Sequence, residues 1–232
     1  VGESFVVVYE SCPVEDSEEA NLAHDGWGCG VFGRRIFPGD LVQEPQFPVN
    51  VVTQQDQGAP DIATLGENLV VSWLSAETGE WQLKLRVFTD AGEKLSQAVS
   101  YTLKSHEAHW RPAIAASGNE QILVAWFGIK AAGNYGLLGQ YFHFDGESKV
   151  LEAVGDTFEM NQVVTVDAHF PRVASVSPGI FVAAWGATNA EIDSPWVHHF
   201  QKPKHLGDFI GAVVAQHHAT GTDSNCGCRL GN

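Results

Sequence analysis

Pro112-Ala113-Ile114-Ala115-Ala116-Ser117-Gly118-Asn119-Glu120-Gln121-Ile122-Leu123-Val124-Ala125-Trp126 decides the fold of this chain. Two apolar runs flank Ser117-Gly118-Asn119, a triplet of turn formers, so the stretch reads as a β-hairpin ending on a tryptophan. The same grammar recurs on both sides. Pro60-Asp61-Ile62-Ala63 leads through Gly66-Glu67-Asn68 to Leu69-Val70-Val71-Ser72-Trp73. Pro171-Arg172-Val173-Ala174 leads through Ser177-Pro178-Gly179 to Ile180-Phe181-Val182-Ala183-Ala184-Trp185. The proline-to-tryptophan separations are 13, 14 and 14 residues. Phe5-Val6-Val7-Val8-Tyr9 matches the second half of the unit, with Tyr9 in place of the tryptophan.

A second hairpin follows each aromatic. One runs from Gly30 to Phe37, turns at Pro38-Gly39-Asp40 and continues to Phe47-Pro48-Val49. The next runs from Trp81 to Phe88, turns at Asp90-Ala91-Gly92 and returns through Val99 to Leu103. A third spans Leu137 to Phe144, turns at Asp145-Gly146 and heads for Phe158, and a fourth begins at Trp196-Val197-His198-His199-Phe200. Trp81, Leu83, Leu85 and Val87 alternate with Gln82, Lys84 and Arg86, the period of a strand with one polar face. Valine and isoleucine outnumber leucine and methionine about two to one, and stiff β-branched side chains suit strands. The class is all-β.

Two hairpins per unit give four strands, and repeats of 50 to 60 residues with four strands predict β-propeller blades. One four-stranded sheet with two apolar faces stays wet until neighbours cover it. A ring at Tyr9, Trp73, Trp126 and Trp185 would fill the gap between successive sheets. The expected division is a partial blade plus hairpin over 1–60, blades over 61–111 and 112–170, a partial blade over 171–210 and a tail over 211–232. The alternative architecture is an open array of β-sandwich modules. Closure of a ring would need residues not present, a partner chain or joining of the ends. The absence of an initial methionine or leader reads as a fragment or processed product.

The Pro-x-Ile/Val-Ala, Val-Val-x-Trp and Asp-x-Gly pattern resembles β-propeller-like repeats of large secreted and cell-surface proteins, bacterial adhesins among them. The resemblance covers roughly residues 1 to 200 and implies an extracellular repeat, with no reaction attached to its motifs. It departs from that pattern in its long, irregular loops and in the tail after residue 200.

With 28 acidic and 13 basic side chains, the net charge is −15, which argues against a nucleic-acid partner. The apolar run Ile122–Ile129 is far shorter than the ~20 residues a bilayer demands, so no membrane span is expected. Cys12 and Cys29 flank a polar, acidic stretch. A disulfide between them would staple its ends and imply an oxidising compartment, and the alternative is two buried thiols. The pairing of Cys226 and Cys228 stays open. No Asn-x-Ser/Thr sequon occurs.

Catalytic motifs are scarce. Gly28-Cys29-Gly30-Val31-Phe32-Gly33 satisfies G-x-G-x-x-G but runs into strand-like sequence instead of a helix. His106-Glu107-Ala108-His109 is one residue short of a zincin pair. The late histidines, His169, His198, His199, His205, His217 and His218, read as surface groups, because adjacent residues on a strand point to opposite faces. Asp16, Glu18 and Glu19 form an acidic loop in which calcium is the one cofactor considered; otherwise no cofactor or metal is expected. Trp27, Trp110, Tyr135 and Trp196 lie off the repeated core position and are the candidate binding platforms. The expectation is a non-catalytic module for assembly or adhesion, partnered by other subunits or copies of itself, and not an enzyme. The alternative is a glycan-binding lectin working through the loop aromatics.

Overall fold

The computed structural model describes residues 4–13, 28–37, 42–103, 111–129, 135–160, 167–188 and 196–201. Among the described residues, four antiparallel sheets follow one another along the chain. The first holds β1 (Phe5–Ser11), β2 (Gly30–Phe37), β3 (Val42–Gln43) and β4 (Phe47–Pro48). The second is a meander of β5 (Gln57–Leu65), β6 (Asn68–Ser75), β7 (Gln82–Thr89) and β8 (Val99–Thr102). The third repeats it with β9 (Ala113–Ser117), β10 (Gln121–Ile129), β11 (Tyr135–Asp145) and β12 (Val150–Glu159). The fourth has β13 (Asp167–Ser177), β14 (Ile180–Thr188) and β15 (Trp196–Gln201). Each Pro-to-Trp unit is thus the first hairpin of a sheet.

The sheets are propeller-type blades, stacked face to face. Val31 and Val49 of the first sheet share a core with Val71, Trp73 and Phe88 of the second. Leu74 and Leu83 of the second share one with Ile122, Trp126 and Phe142 of the third. Leu123 and Tyr141 of the third share one with Phe181 and Trp185 of the fourth. Every tryptophan of the repeat therefore faces the preceding sheet, and Trp73, Trp126 and Trp185 are at most 5% exposed. Cores shared across seams exclude the array of separate sandwich modules. Tyr9 occupies the equivalent position, stacked on Phe32 with ring centroids 6.3 Å apart, its hydroxyl donating to Gln46 Oε1 at 2.7 Å.

A side chain also locks each seam near the inner strands. Glu10 Oε2 of the first sheet accepts from Ala59 N at 3.0 Å. Asp61 Oδ2 of the second accepts from Ile114 N at 2.9 Å. Ser117 Oγ of the third accepts from Gly179 N at 2.9 Å. Each satisfies a backbone donor that would otherwise go without a partner beside a sheet edge.

Two local expectations need correction. The polar face assigned to β7 is not solvated: Lys84 is 7% and Arg86 6% exposed, because a neighbouring blade covers that face as well. Lys84 compensates with an ion pair to Glu77 and a 2.7 Å bond to Ser100 Oγ. The last strand expected up to Val49 is broken into β3 and β4, both pairing with β2. Pro45 and Pro48 lack the N–H that a continuous ladder needs, and the Phe47 ring packs over Gly33 and Gly92 instead, where any side chain would collide with it.

Candidate functional site

The first two blades part at one end to leave a cleft of about 340 Å³, a volume suited to a small ligand. Glu10 and Cys29 line it from the first blade, and Asp56, Gln57, Gly58, Ala59, Leu74 and Trp81 from the second. Arg111, just before β9 of the third, completes it. The topology explains the convergence. The end of β1, the start of β5, the end of β6 and the start of β7 all lie at the same end of their sheets.

Each acidic side chain is held by a specific donor. Glu10 reaches across the seam to Ala59 N, and Gly58 makes room for it, since a β-carbon there would collide with the carboxylate. Asp56 Oδ1 accepts from Cys29 N at 3.2 Å, and Gly28, at φ +103°, leaves the space into which that carboxylate projects. The Asp56 backbone is fixed too, its carbonyl accepting from Ala76 N at 2.9 Å.

The loop that delivers Asp56 is built around two buried amides. Asn50 is 4% and Gln57 1% exposed. Asn50 Oδ1 accepts from Val31 N at 2.8 Å, and Asn50 Nδ2 donates to Val52 O at 2.8 Å and to Gln57 Oε1 at 2.9 Å. Gln57 Nε2 donates to the carbonyls of Gln54 and Gln55 at 2.8 and 2.9 Å. Such a satisfied network fixes one conformation where an apolar core would tolerate several. It accommodates Gln55 and Ala59 at φ values of 61° and 51°, in the left-handed region that side chains disfavour.

The staple Cys12–Cys29 closes at the rim, as a disulfide with a sequence separation of 17. Glu10, Cys12 and Cys29 bring three potential ligand atoms within 4.8 Å, but both sulfurs are spent on the bond to each other. The trio is no metal site. Gly30 and Gly33 of the G-x-G-x-x-G match sit inside β2, which confirms the strand context that disqualified it.

The sequence-chosen platforms are not among the described residues that line the cleft. Tyr135 and Trp196 open β11 and β15, and Trp27 and Trp110 fall outside the described residues. So do Asp16, Glu18 and Glu19, the His106–His109 pair, His205, His217 and His218, and Cys226 and Cys228. His169 is in β13, and His198 and His199 are consecutive residues of β15. The indole that does line the cleft, Trp81, reads from sequence as the first residue of an alternating strand. The signal that marks the site is weaker and non-local: Gly28 and Gly58, small residues where a carboxylate must approach backbone.

No protein-family model matches the chain, and no curated protein matches it. Among solved structures it is similar to a mutant of the Bombyx mori GH32 β-fructofuranosidase BmSUC1 in complex with sucrose, at 15% identity and a TM-score of 0.46. The match covers 85% of this chain and 46% of that one, so the chain spans about half the length of the structure it resembles. The expectation of a non-catalytic assembly or adhesion module, with a lectin as its alternative and no enzyme activity, is corrected here. A solved structure that the chain resembles belongs to an enzyme, and the cleft of this chain is lined by two carboxylates, a guanidinium and an indole. Among the described residues, no helix is long and apolar enough to cross a membrane.

Proposed function

We propose that the cleft between the first two blades is an active site that binds and hydrolyses a glycoside. The observation that carries this reading is the convergence of two carboxylates, Glu10 and Asp56, with the Trp81 indole in one ligand-sized cleft. Glycoside hydrolysis needs two carboxyl groups flanking the scissile bond, one to protonate the leaving oxygen and one to act as base or nucleophile. An aromatic face supplies the apolar platform on which a sugar ring rests. Both carboxylates are held by backbone donors, as a preorganised site requires. This reading uses side chains alone, with neither metal nor cofactor. The disulfide suits an oxidising compartment, and we place the protein outside the reducing cytosol on that ground.

The test is release of reducing ends from a panel of oligosaccharides. Glu10→Gln and Asp56→Asn are each expected to lower turnover by about 100-fold or more, the scale of positioned acid–base catalysis. Circular dichroism should show both variants folded. Turnover that survives both substitutions, or wild-type protein that neither cleaves nor saturably binds any member of the panel, would refute the reading.

A further inference from the structure

Among the described residues that line the cleft, Arg111 is the one cationic side chain. It is exposed, and among the described residues it makes no hydrogen bond and no ion pair, although Glu10 and Asp56 line the same cleft. In a chain with 28 acidic against 13 basic groups, this guanidinium lines the same cleft as two carboxylates without engaging either. Pro112 restrains its backbone. The residue before a proline is confined to extended conformations, and Pro112 is itself buried at the entry to β9. The side chain therefore starts from a stiff stem on the third blade, whereas Glu10 and Asp56 approach from the first and second.

We infer that Arg111 receives an anionic group of the substrate, and that the preferred substrate is an acidic glycoside carrying a uronate carboxylate. This rests on the reading of the cleft as a glycoside site. The guanidinium offers a planar fork of donors that matches a carboxylate in two parallel hydrogen bonds, and such charge-assisted pairs are about twice as strong as neutral ones. The two carboxylates of the cleft would repel an acidic sugar placed at random. Only a pose that seats the sugar's carboxylate on Arg111, away from Glu10 and Asp56, relieves that repulsion. Arg111 thus fixes the orientation of the sugar as well as its class.

Matched pairs that differ only at C6, galacto- against galacturono-oligosaccharides and gluco- against glucurono-oligosaccharides, provide the test. The wild-type protein is expected to favour the uronate member by about tenfold or more in kcat/KM, the scale of one charge-assisted contact. In Arg111→Gln that ratio should fall to near one, and Arg111→Lys should restore part of it. Equal or inverted preference in the wild type, or a ratio unchanged in Arg111→Gln, overturns the proposal and leaves the glycoside reading intact. Preference for a sulfated analogue over the uronate also overturns it. Failure of every pair to bind or react, together with no effect of Glu10→Gln, overturns both.

Discussion

Replacement of Gln57 by alanine probes the loop that carries Asp56 into the cleft. The side chain makes three hydrogen bonds, accepting from Asn50 Nδ2 and donating to the carbonyls of Gln54 and Gln55, at 1% exposure. At roughly 1 kcal/mol net for each bond, the loss comes to about 3 kcal/mol. Gln54 and Gln55 are exposed, so their carbonyls recover water and the figure is not inflated by orphaned acceptors. For a chain of this length the midpoint should fall by roughly 6–12 °C. Urea unfolding followed by tryptophan fluorescence gives the free energy directly. Gln57→Glu sharpens the test. It preserves size and the acceptor for Asn50 but turns a carboxylate toward two carbonyls. Burial and those carbonyls favour the protonated acid, so the variant must gain stability as pH falls, where wild type has no such term at this position. A Gln57→Ala loss below about 0.5 kcal/mol, the level of an ordinary surface change, would show that the amide pair does not hold the loop.

Three further outcomes follow from the packing and the ionisable groups. Trp126 is 1% exposed, with its ring 5.3 Å from that of Tyr101 across the seam, so Trp126→Ala should cost about 3–5 kcal/mol by urea unfolding, and Tyr9→Ala clearly less. Asp61 is pushed above the ordinary aspartate range by burial, against the pull of the Ile114 and Ile62 backbone donors and of Arg172. The native state then takes up the proton before the unfolded chain does. Wild type should gain stability relative to Asp61→Asn as pH falls through that raised value, levelling off below the unfolded value; a gap that moves the other way would contradict burial as the leading cause. Tyr141, stacked 5.3 Å from Phe158, is pushed up by burial to about 12. Native stability should decline as pH rises above the ordinary phenol value of about 10, a decline that Tyr141→Phe removes. Ultraviolet titration should show one late tyrosinate that is missing in the variant.

The hairpins were legible because their cause is local. Pro112 to Trp126 contains its own strands, its own turn and the indole that wedges the next seam, and β9 and β10 pair as that stretch dictates, Ala113 opposite Ala125 and Ser117 opposite Gln121. The disulfide was legible as one of two alternatives, from Cys12 and Cys29 at the ends of one polar segment. The cleft was not. Glu10 and Asp56 meet only because β1 and β5 become neighbours across a seam, and nothing in either segment announces the other. Arg86 misled for a related reason. Alternation reports which residues share a face of a strand, and in a stack of blades both faces are covered. The aromatics chosen as platforms were singled out for lying off the repeat, whereas Trp81 immediately precedes β7 and reaches the cleft only through the blade's position beside its neighbours.

The division of the described apolar interior into three separate pieces, one for each seam, governs how the chain comes apart. Residues 57–160 contribute to all three, while the first and fourth sheets each contribute to one. Cohesion in such a stack is a sum over adjacent pairs, as in a one-dimensional array. Dilute protease should therefore trim inward from both flanks and leave the central pair of sheets as the last resistant fragment. Because the cleft lies on the first of these joints, its ligand should act as a clamp, and saturation with substrate should slow the loss of the first sheet before it affects the rest.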